Sequence, residues 1–313
     1  FAERQARLKR LELGYYKLNT YHLYIEDVFA FDALSRDSKR RDRLTPEELA
    51  LLTAEATRHH VVLVPVLQTL GHQEQLLAMP AFQHLAELSP TWRLPAWFEQ
   101  LSSALRGGGQ SRQPPGTDEA ESDDMPAEAP RSLCPVDPRA RALVRELVGE
   151  ICASSTAPYL HCGGDEPTDV GKGRSMAAVK RRGLGTVYAE YYSDLNRTVR
   201  EHWGRQMMLY SDVLLAHEDA MRGVPKDVVV IDWHYDPLSA FGSLDTLRRG
   251  GFRAIACAGL WNWQSFYPSY QRAFENIRGA VRGARRYGAW GAIVASWGDG
   301  GGECLNAANW AGY

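Results

Sequence analysis

Residues 159–167 read Tyr-Leu-His-Cys-Gly-Gly-Asp-Glu-Pro. Four residues suited to a short strand, Tyr159–Cys162, run into two glycines, which let a backbone turn sharply and approach a ligand closely. Two adjacent carboxylates, Asp165 and Glu166, then stand where the strand runs out. A strand that hands polar side chains to the loop at its C-terminal end is the building unit of α/β barrels and of doubly wound sheets. A blander reading takes the two acids as first-turn charges of a helix with Pro167 at its first position.

Six further apolar runs of strand length lie to either side: Tyr21–Ile25, Val61–Leu67, Met207–Tyr210, Val228–Trp233, Phe252–Cys257 and Ala292–Ser296. Helical stretches alternate with them. Thr45, Pro46 and Glu48 form a capping box with proline at the first helical position, and Asp137-Pro138 repeats the cap-then-proline start. Leu143, Val144, Leu147, Val148 and Ile151 then recur at offsets of three and four, as do Val187, Tyr191, Leu195 and Val199 within Thr186–Trp203.

This alternation predicts an α/β fold, a TIM-type (β/α)8 barrel. Only seven strands are legible, a helix-like segment (Glu3–Lys17) precedes the first, and Glu303–Tyr313 starts a helix that is cut short. The barrel is therefore expected to lack its first strand and last helix in this chain, with Phe1 downstream of the true start. An open doubly wound sheet is the runner-up. It is disfavoured because no glycine-rich phosphate loop follows the first strand, and Gly171-Lys172-Gly173 lacks a third glycine. Residues 1–313 are read as a single domain interrupted at 107–131. There Gly107-Gly108-Gly109, Pro114-Pro115 and an acidic run from Asp118 to Glu128 leave too little apolar surface to offset ordering, so this is a flexible surface insertion.

The chain is 44% apolar and 24% charged, ordinary for a soluble domain. A net charge of −2 provides no basic footprint, which argues against a nucleic-acid partner. The longest apolar run, Val61–Leu67, falls far short of the ~20 residues that span a bilayer. Five scattered cysteines, odd in number and without zinc-site spacing, read as reduced thiols, and with no visible leader the default setting is cytoplasmic. Oligomeric state is not legible.

The strand ends are heavily loaded. They carry Glu26-Asp27, Gln68 with His72, His161 with Asp165-Glu166, Asp212, Asp232-Trp233-His234-Tyr235, Trp261-Asn262-Trp263, and Trp297 with Asp299 and Glu303. Barrels collect functional side chains at this end. Four of the nine tryptophans fall there. A single tryptophan is commonly core packing, but indoles beside carboxylates form a wall suited to sugar rings, so the pocket reads as a carbohydrate site.

The run HCGGDE, ending in Asp165 and Glu166, resembles the catalytic signature of family 20 glycoside hydrolases, the β-N-acetylhexosaminidases. TYHLYIEDVFAF (20–31), VPVLQTLGH (64–72), DWHY (232–235) and SWGDGGGE (296–303) are similar to the same barrel, in a bacterial branch close to hexosaminidase D. The resemblance implies a single catalytic domain that removes terminal β-linked N-acetylglucosamine or N-acetylgalactosamine with retention of configuration, without a cofactor or metal. Ordinary glycosidases set two carboxyls roughly 5 to 9.5 Å apart across the scissile bond. Neighbouring residues have Cα atoms only ~3.8 Å apart and diverging side chains, so Asp165 and Glu166 cannot flank a sugar in that way. In the resembled family the substrate's own 2-acetamido oxygen is the nucleophile and forms an oxazolinium ion.

The family then implies roles. Glu166 is the general acid and later the base; Asp165 stays ionised and orients the acetamido N–H; Tyr235 donates to the acetamido oxygen. Trp233, Trp261, Trp263 and Trp297 wall the subsite, and Asp299 and Glu303 bond sugar hydroxyls. His72 and His161 are candidates for a relay to Glu166 with Glu26 or Asp27, with Asp212 in support; a satisfied structural histidine is the equal alternative. The arginine that the family's first strand supplies has no counterpart here, and Tyr210-Ser211 stand where an aromatic residue is common beside Asp212. Two other classes stay in view: a catalytically impaired carbohydrate-binding barrel, and a metal-dependent barrel hydrolase, which fits poorly without an HxH or HExxH pattern.

Overall fold

The structure is a computed structural model that describes residues 17–26, 28–34, 43–88, 130–237, 241–263 and 267–298. The expected helix at Glu3–Lys17 except its last residue, that at Glu303–Tyr313, nearly all of the 107–131 insertion, and the site candidates Asp27, Asp299 and Glu303 lie outside these residues.

All seven expected strands form, with ends shifted by a residue or two: β1 (Thr20–Ile25), β2 (Val62–Leu67), β3 (Tyr159–His161), β4 (Gln206–Tyr210), β5 (Val229–Trp233), β6 (Arg253–Gly259) and β7 (Gly291–Ala295). They make one sheet in the order β1-β2-β3-β4-β5-β6-β7, every pair parallel. This sequential order rules out the doubly wound alternative, whose strand order reverses at a switch point. Pro65, which has no N–H for a ladder, sits where β2 pairs with β3 only at Val66↔His161.

Helices fill the crossovers: α1 (Pro46–Arg58), α2 (Glu74–Leu77), α3 (Pro138–Ser154), α4 (Met176–Arg182), α5 (Leu184–Glu201), α6 (Asp212–Ala216), α7 (Glu218–Gly223), α8 (Ser243–Arg249) and α9 (Tyr270–Tyr287). The blander reading of residues 165–167 fails here. Pro167 opens a turn, and the next helix begins only at Met176.

Alternation along the strands sorts side chains between two apolar clusters. Met207, Leu209, Val230, Ala254 and Ala256 pack outward with the helices, joined by the α3 stripe Leu143, Val144, Leu147, Val148 and Ile151. Val64, Met208, Tyr210, Val229, Ile231 and Cys257 gather on the inner face with Trp233 and Tyr235. The sheet curls enough for its end strands to approach. Tyr24 on β1 meets Trp297 beyond β7 edge to face, with ring centroids 5.1 Å apart. The fold is thus α/β, a curled parallel sheet of the partial TIM-barrel kind.

The four described cysteines, Cys134, Cys152, Cys162 and Cys257, are buried free thiols. Among the described residues no helix is long and apolar enough to cross a membrane.

At the start of α1, Thr45 Oγ1 accepts the Glu48 N–H at 3.2 Å, and Glu48 Oε2 accepts the Thr45 N–H at 2.9 Å. Thr45→Ala removes one of these two bonds and should lower stability by about 1 kcal/mol, read as a drop in Tm on thermal unfolding.

Candidate active site

Asp165 and Glu166 follow β3 through Gly163 and Gly164, both in the left-handed region (φ +63° and +94°). Each glycine also answers a steric demand. A Cβ on Gly163 would lie 1.9 Å from Gln68 Oε1, and one on Gly164 would lie 2.6 Å from the Tyr188 hydroxyl, which donates to the Gly164 carbonyl at 2.9 Å. The loop after β2 comes equally close: a Cβ on Gly71 would stand 2.5 Å from the Asp165 carbonyl oxygen.

This approach sets His72 against both acids. Its Nε2 is 3.3 Å from Asp165 Oδ2 and 3.5 Å from Glu166 Oε2. Burial alone would lower the imidazole pKa; the hydrogen bond to Asp165 and the charges of Asp165, Glu166 and Glu74 outweigh it and raise it to about 9. His72 is therefore a cation at neutral pH, bridging the pair.

The two acids occupy different surroundings. Asp165 is mostly covered, with 15% of its side chain exposed, and its Oδ1 accepts from Gln68 Nε2 at 2.9 Å. Glu166 keeps 49% of its side chain open. Its backbone is left-handed (φ +46°), and its N–H donates to Asp212 Oδ2 at 2.9 Å. Burial raises the Asp212 carboxyl to about 6, with a further push from the charges of Asp165 and Glu166 and opposition from the bond with the Glu166 N–H. Three carboxyls and one imidazolium thus share a corner in which a proton can be held or passed.

A continuous path joins this corner to the aromatic wall. Gln68 Nε2 also donates to the Tyr24 hydroxyl at 3.2 Å, and Tyr24 packs on Trp297. Trp297 Nε1 donates to the Tyr235 hydroxyl at 2.8 Å, and Trp261 Nε1 donates to the Tyr235 carbonyl at 2.5 Å. Tyr235 lies between Trp233 and Trp263, with ring centroids 5.4 and 5.3 Å away, and Trp261 and Trp263 are 4.8 Å apart. Asn262 ties the far side together by accepting the Trp297 N–H at 3.3 Å and donating to Ser296 Oγ at 2.9 Å. His72, Glu166 and Trp261 all have positive φ, and such disfavoured backbone gathers at functional sites.

The Glycosyl hydrolase family 20 catalytic-domain profile matches residues 8–299. The chain belongs to this family. Solved structures with the same fold include a Flavobacterium johnsoniae chitobiase (TM-score 0.65, 18% identity, 93% of this chain and 41% of that one). A β-N-acetylhexosaminidase from Bacteroides fragilis (0.59, 13%, 88% and 52%) and an exo-β-N-acetylglucosaminidase from Vibrio harveyi in complex with N-acetylglucosamine (0.54, 19%, 84% and 40%) are also similar. The chain spans about half the length of these family 20 proteins or less. No curated protein matches the sequence.

The expectation for His161 needs correction. His161 is not part of a relay to Glu166. Its ring is fully buried on the inner face, 4.2 Å from Tyr210 and 5.7 Å from His22, with no hydrogen-bond partner among the described residues, and burial drives its pKa well below the ordinary histidine value. Glu26 is exposed at the end of β1, and its charge acts on the Tyr24 hydroxyl. Asp232 is fully buried and faces away from the acid pair, holding Ser211, Ser243 and His234. Sequence reasoning missed Tyr24. No local signal marked it, since its partner Gln68 lies 44 residues further on.

Because folding raises the His72 pKa, the cation's contribution to stability is complete below the unfolded value near 6.5 and is lost as pH rises through about 9. The Tm difference between the wild type and His72→Gln should be widest at about pH 5 to 6.5 and should narrow above about pH 9. A gap that ignores pH in this range contradicts the bridging cation.

Proposed function

We propose that this chain carries the catalytic site of an exo-β-N-acetylhexosaminidase, a glycoside hydrolase that removes terminal β-linked N-acetylglucosamine or N-acetylgalactosamine with retention of configuration. The seven strands are taken in this reading as part of a complete (β/α)8 barrel. The observation that carries the proposal is the adjacent pair Asp165 and Glu166, bridged by one imidazole and joined through Gln68, Tyr24 and Trp297 to an aromatic wall. Adjacent acids on one loop cannot take opposite faces of a sugar, so another nucleophile is needed, and in family 20 it is the substrate's own 2-acetamido oxygen.

In this mechanism the sugar lies against the tryptophans, with its glycosidic oxygen at the half-exposed Glu166 carboxyl. Glu166 gives its proton to the leaving oxygen as the bond to the anomeric carbon breaks. The 2-acetamido carbonyl oxygen attacks that carbon and closes an oxazolinium ring. Asp165, ionised and held by His72 and Gln68, accepts the acetamido N–H and balances the positive charge that grows there. The Tyr235 hydroxyl donates to the acetamido oxygen and aims it. Glu166, now a carboxylate, takes a proton from water, which opens the ring from the face the aglycone left.

Two measurements test the reading. Aryl 2-acetamido-2-deoxy-β-glycosides should be hydrolysed and the corresponding 2-hydroxy glucosides should not; equal turnover of both would remove the neighbouring-group nucleophile. Glu166→Gln should lose at least about a hundredfold in kcat on substrates with poor leaving groups and much less on activated aryl glycosides. A uniform loss across leaving groups, or binding without any hydrolysis by the wild type, would favour a carbohydrate-binding barrel instead.

A further inference from the structure

The face that α9 turns toward the sheet is built from small residues, Ala273, Gly279, Ala280, Gly283 and Ala284, with one polar side chain among them, Asn276. Asn276 is fully buried. A buried amide costs free energy unless its donors and acceptor are matched, and here they are. Its Oδ1 accepts the Gly259 N–H at 2.7 Å, while its Nδ2 donates to the carbonyls of His234 at 2.9 Å and Asp236 at 2.8 Å.

Those two carbonyls flank Tyr235. The third partner, Gly259, ends β6 directly beneath the wall, where an added Cβ would lie 2.9 Å from the Tyr235 ring and 3.0 Å from that of Trp263. One side chain on an outer helix therefore fixes the backbone on both sides of Tyr235 and the floor under its ring. The Tyr235 hydroxyl and carbonyl are in turn the acceptors for Trp297 and Trp261.

We propose that Asn276 is a positioning residue for the hydrolytic reaction: through the backbone on either side of Tyr235 it sets where that hydroxyl meets the substrate. The inference rests on the role given to Tyr235 above. Asn276 touches no reacting atom. Its effect is on geometry, and a displacement of about 1 Å at a reacting group can cost on the order of a hundredfold in rate.

The test uses Asn276→Ala and the near-isosteric Asn276→Asp, which keeps the acceptor for Gly259 and sets a carboxylate against two carbonyls. On an aryl 2-acetamido-2-deoxy-β-glucoside each should lower kcat about ten- to a hundredfold with KM changed less than about threefold. In a Tyr235→Phe background the further loss should fall below about twofold, because no hydroxyl remains to be misplaced. The same loss in both backgrounds overturns the proposal, and so does an unchanged kcat. Near-ultraviolet circular dichroism is the independent readout, since Trp261 and Trp297 bond to Tyr235. Their signal should change in either variant while the far-ultraviolet spectrum is retained, and an unaltered tryptophan signal overturns the positioning role whatever the activity. If the wild type hydrolyses no acetamido glycoside, the hexosaminidase reading fails, and the dichroism still decides whether Asn276 sets the wall. Should Asn276→Ala not fold, Asn276→Asp carries both measurements.

Discussion

At Gly71 the loop leaving β2 meets the loop leaving β3 with no space for a side chain. A methyl group there would collide with the Asp165 carbonyl oxygen, 2.5 Å away, and press on that of Glu166 at 3.2 Å. Because the chains touch at Gly71, the next residue, His72, can reach two carboxylates at once. Left-handed backbone at His72 and Glu166 costs about 1–2 kcal/mol at each. Surrounding bonds hold it: Gln73 Nε2 donates to the carbonyls of Gln68 and Gly71, the Leu133 N–H donates to Leu70, and Asp212 accepts the Glu166 N–H.

This crossing gives neighbouring residues unlike environments. Asp165 turns inward, where Gln68 meets one of its carboxyl oxygens and His72 the other. Glu166 turns outward, where half of its side chain meets solvent and a ligand can reach it. Asp212 closes the corner from β4, its Oδ1 buried without a partner among the described residues. A covered carboxyl and an open one thus stand at two positions in a row.

The aromatic half of the site is set by a different constraint, the curl of the sheet. Tyr24 and Trp297 belong to opposite ends of the strand order, and their contact draws β1 toward the loops after β5, β6 and β7. The indole N–H groups of Trp261 and Trp297 are spent on Tyr235, which leaves the ring faces as the wall. Support comes from behind through Asn276, so the helix layer as well as the loops shapes the aromatic wall.

The sequence by itself determined the strands, the helix starts at Thr45 and Asp137, and the loading of one end of the sheet. These are local matters: apolar period, cap chemistry and glycine punctuation operate within a few residues. It also singled out Asp165 and Glu166, since two glycines before two acids form a pattern in one dimension. Only the tertiary structure decided which histidine serves the pair. His72 and His161 each stand near a strand end, but β3 directs His161 into the inner face, whereas the crossing at Gly71 brings His72 to the acids. Tyr24 and Asn276 were illegible for the same reason. Their partners lie 44 residues away at Gln68 and 40 or more at Asp236 and His234, and a hydrogen bond across that separation leaves no periodic trace in the chain.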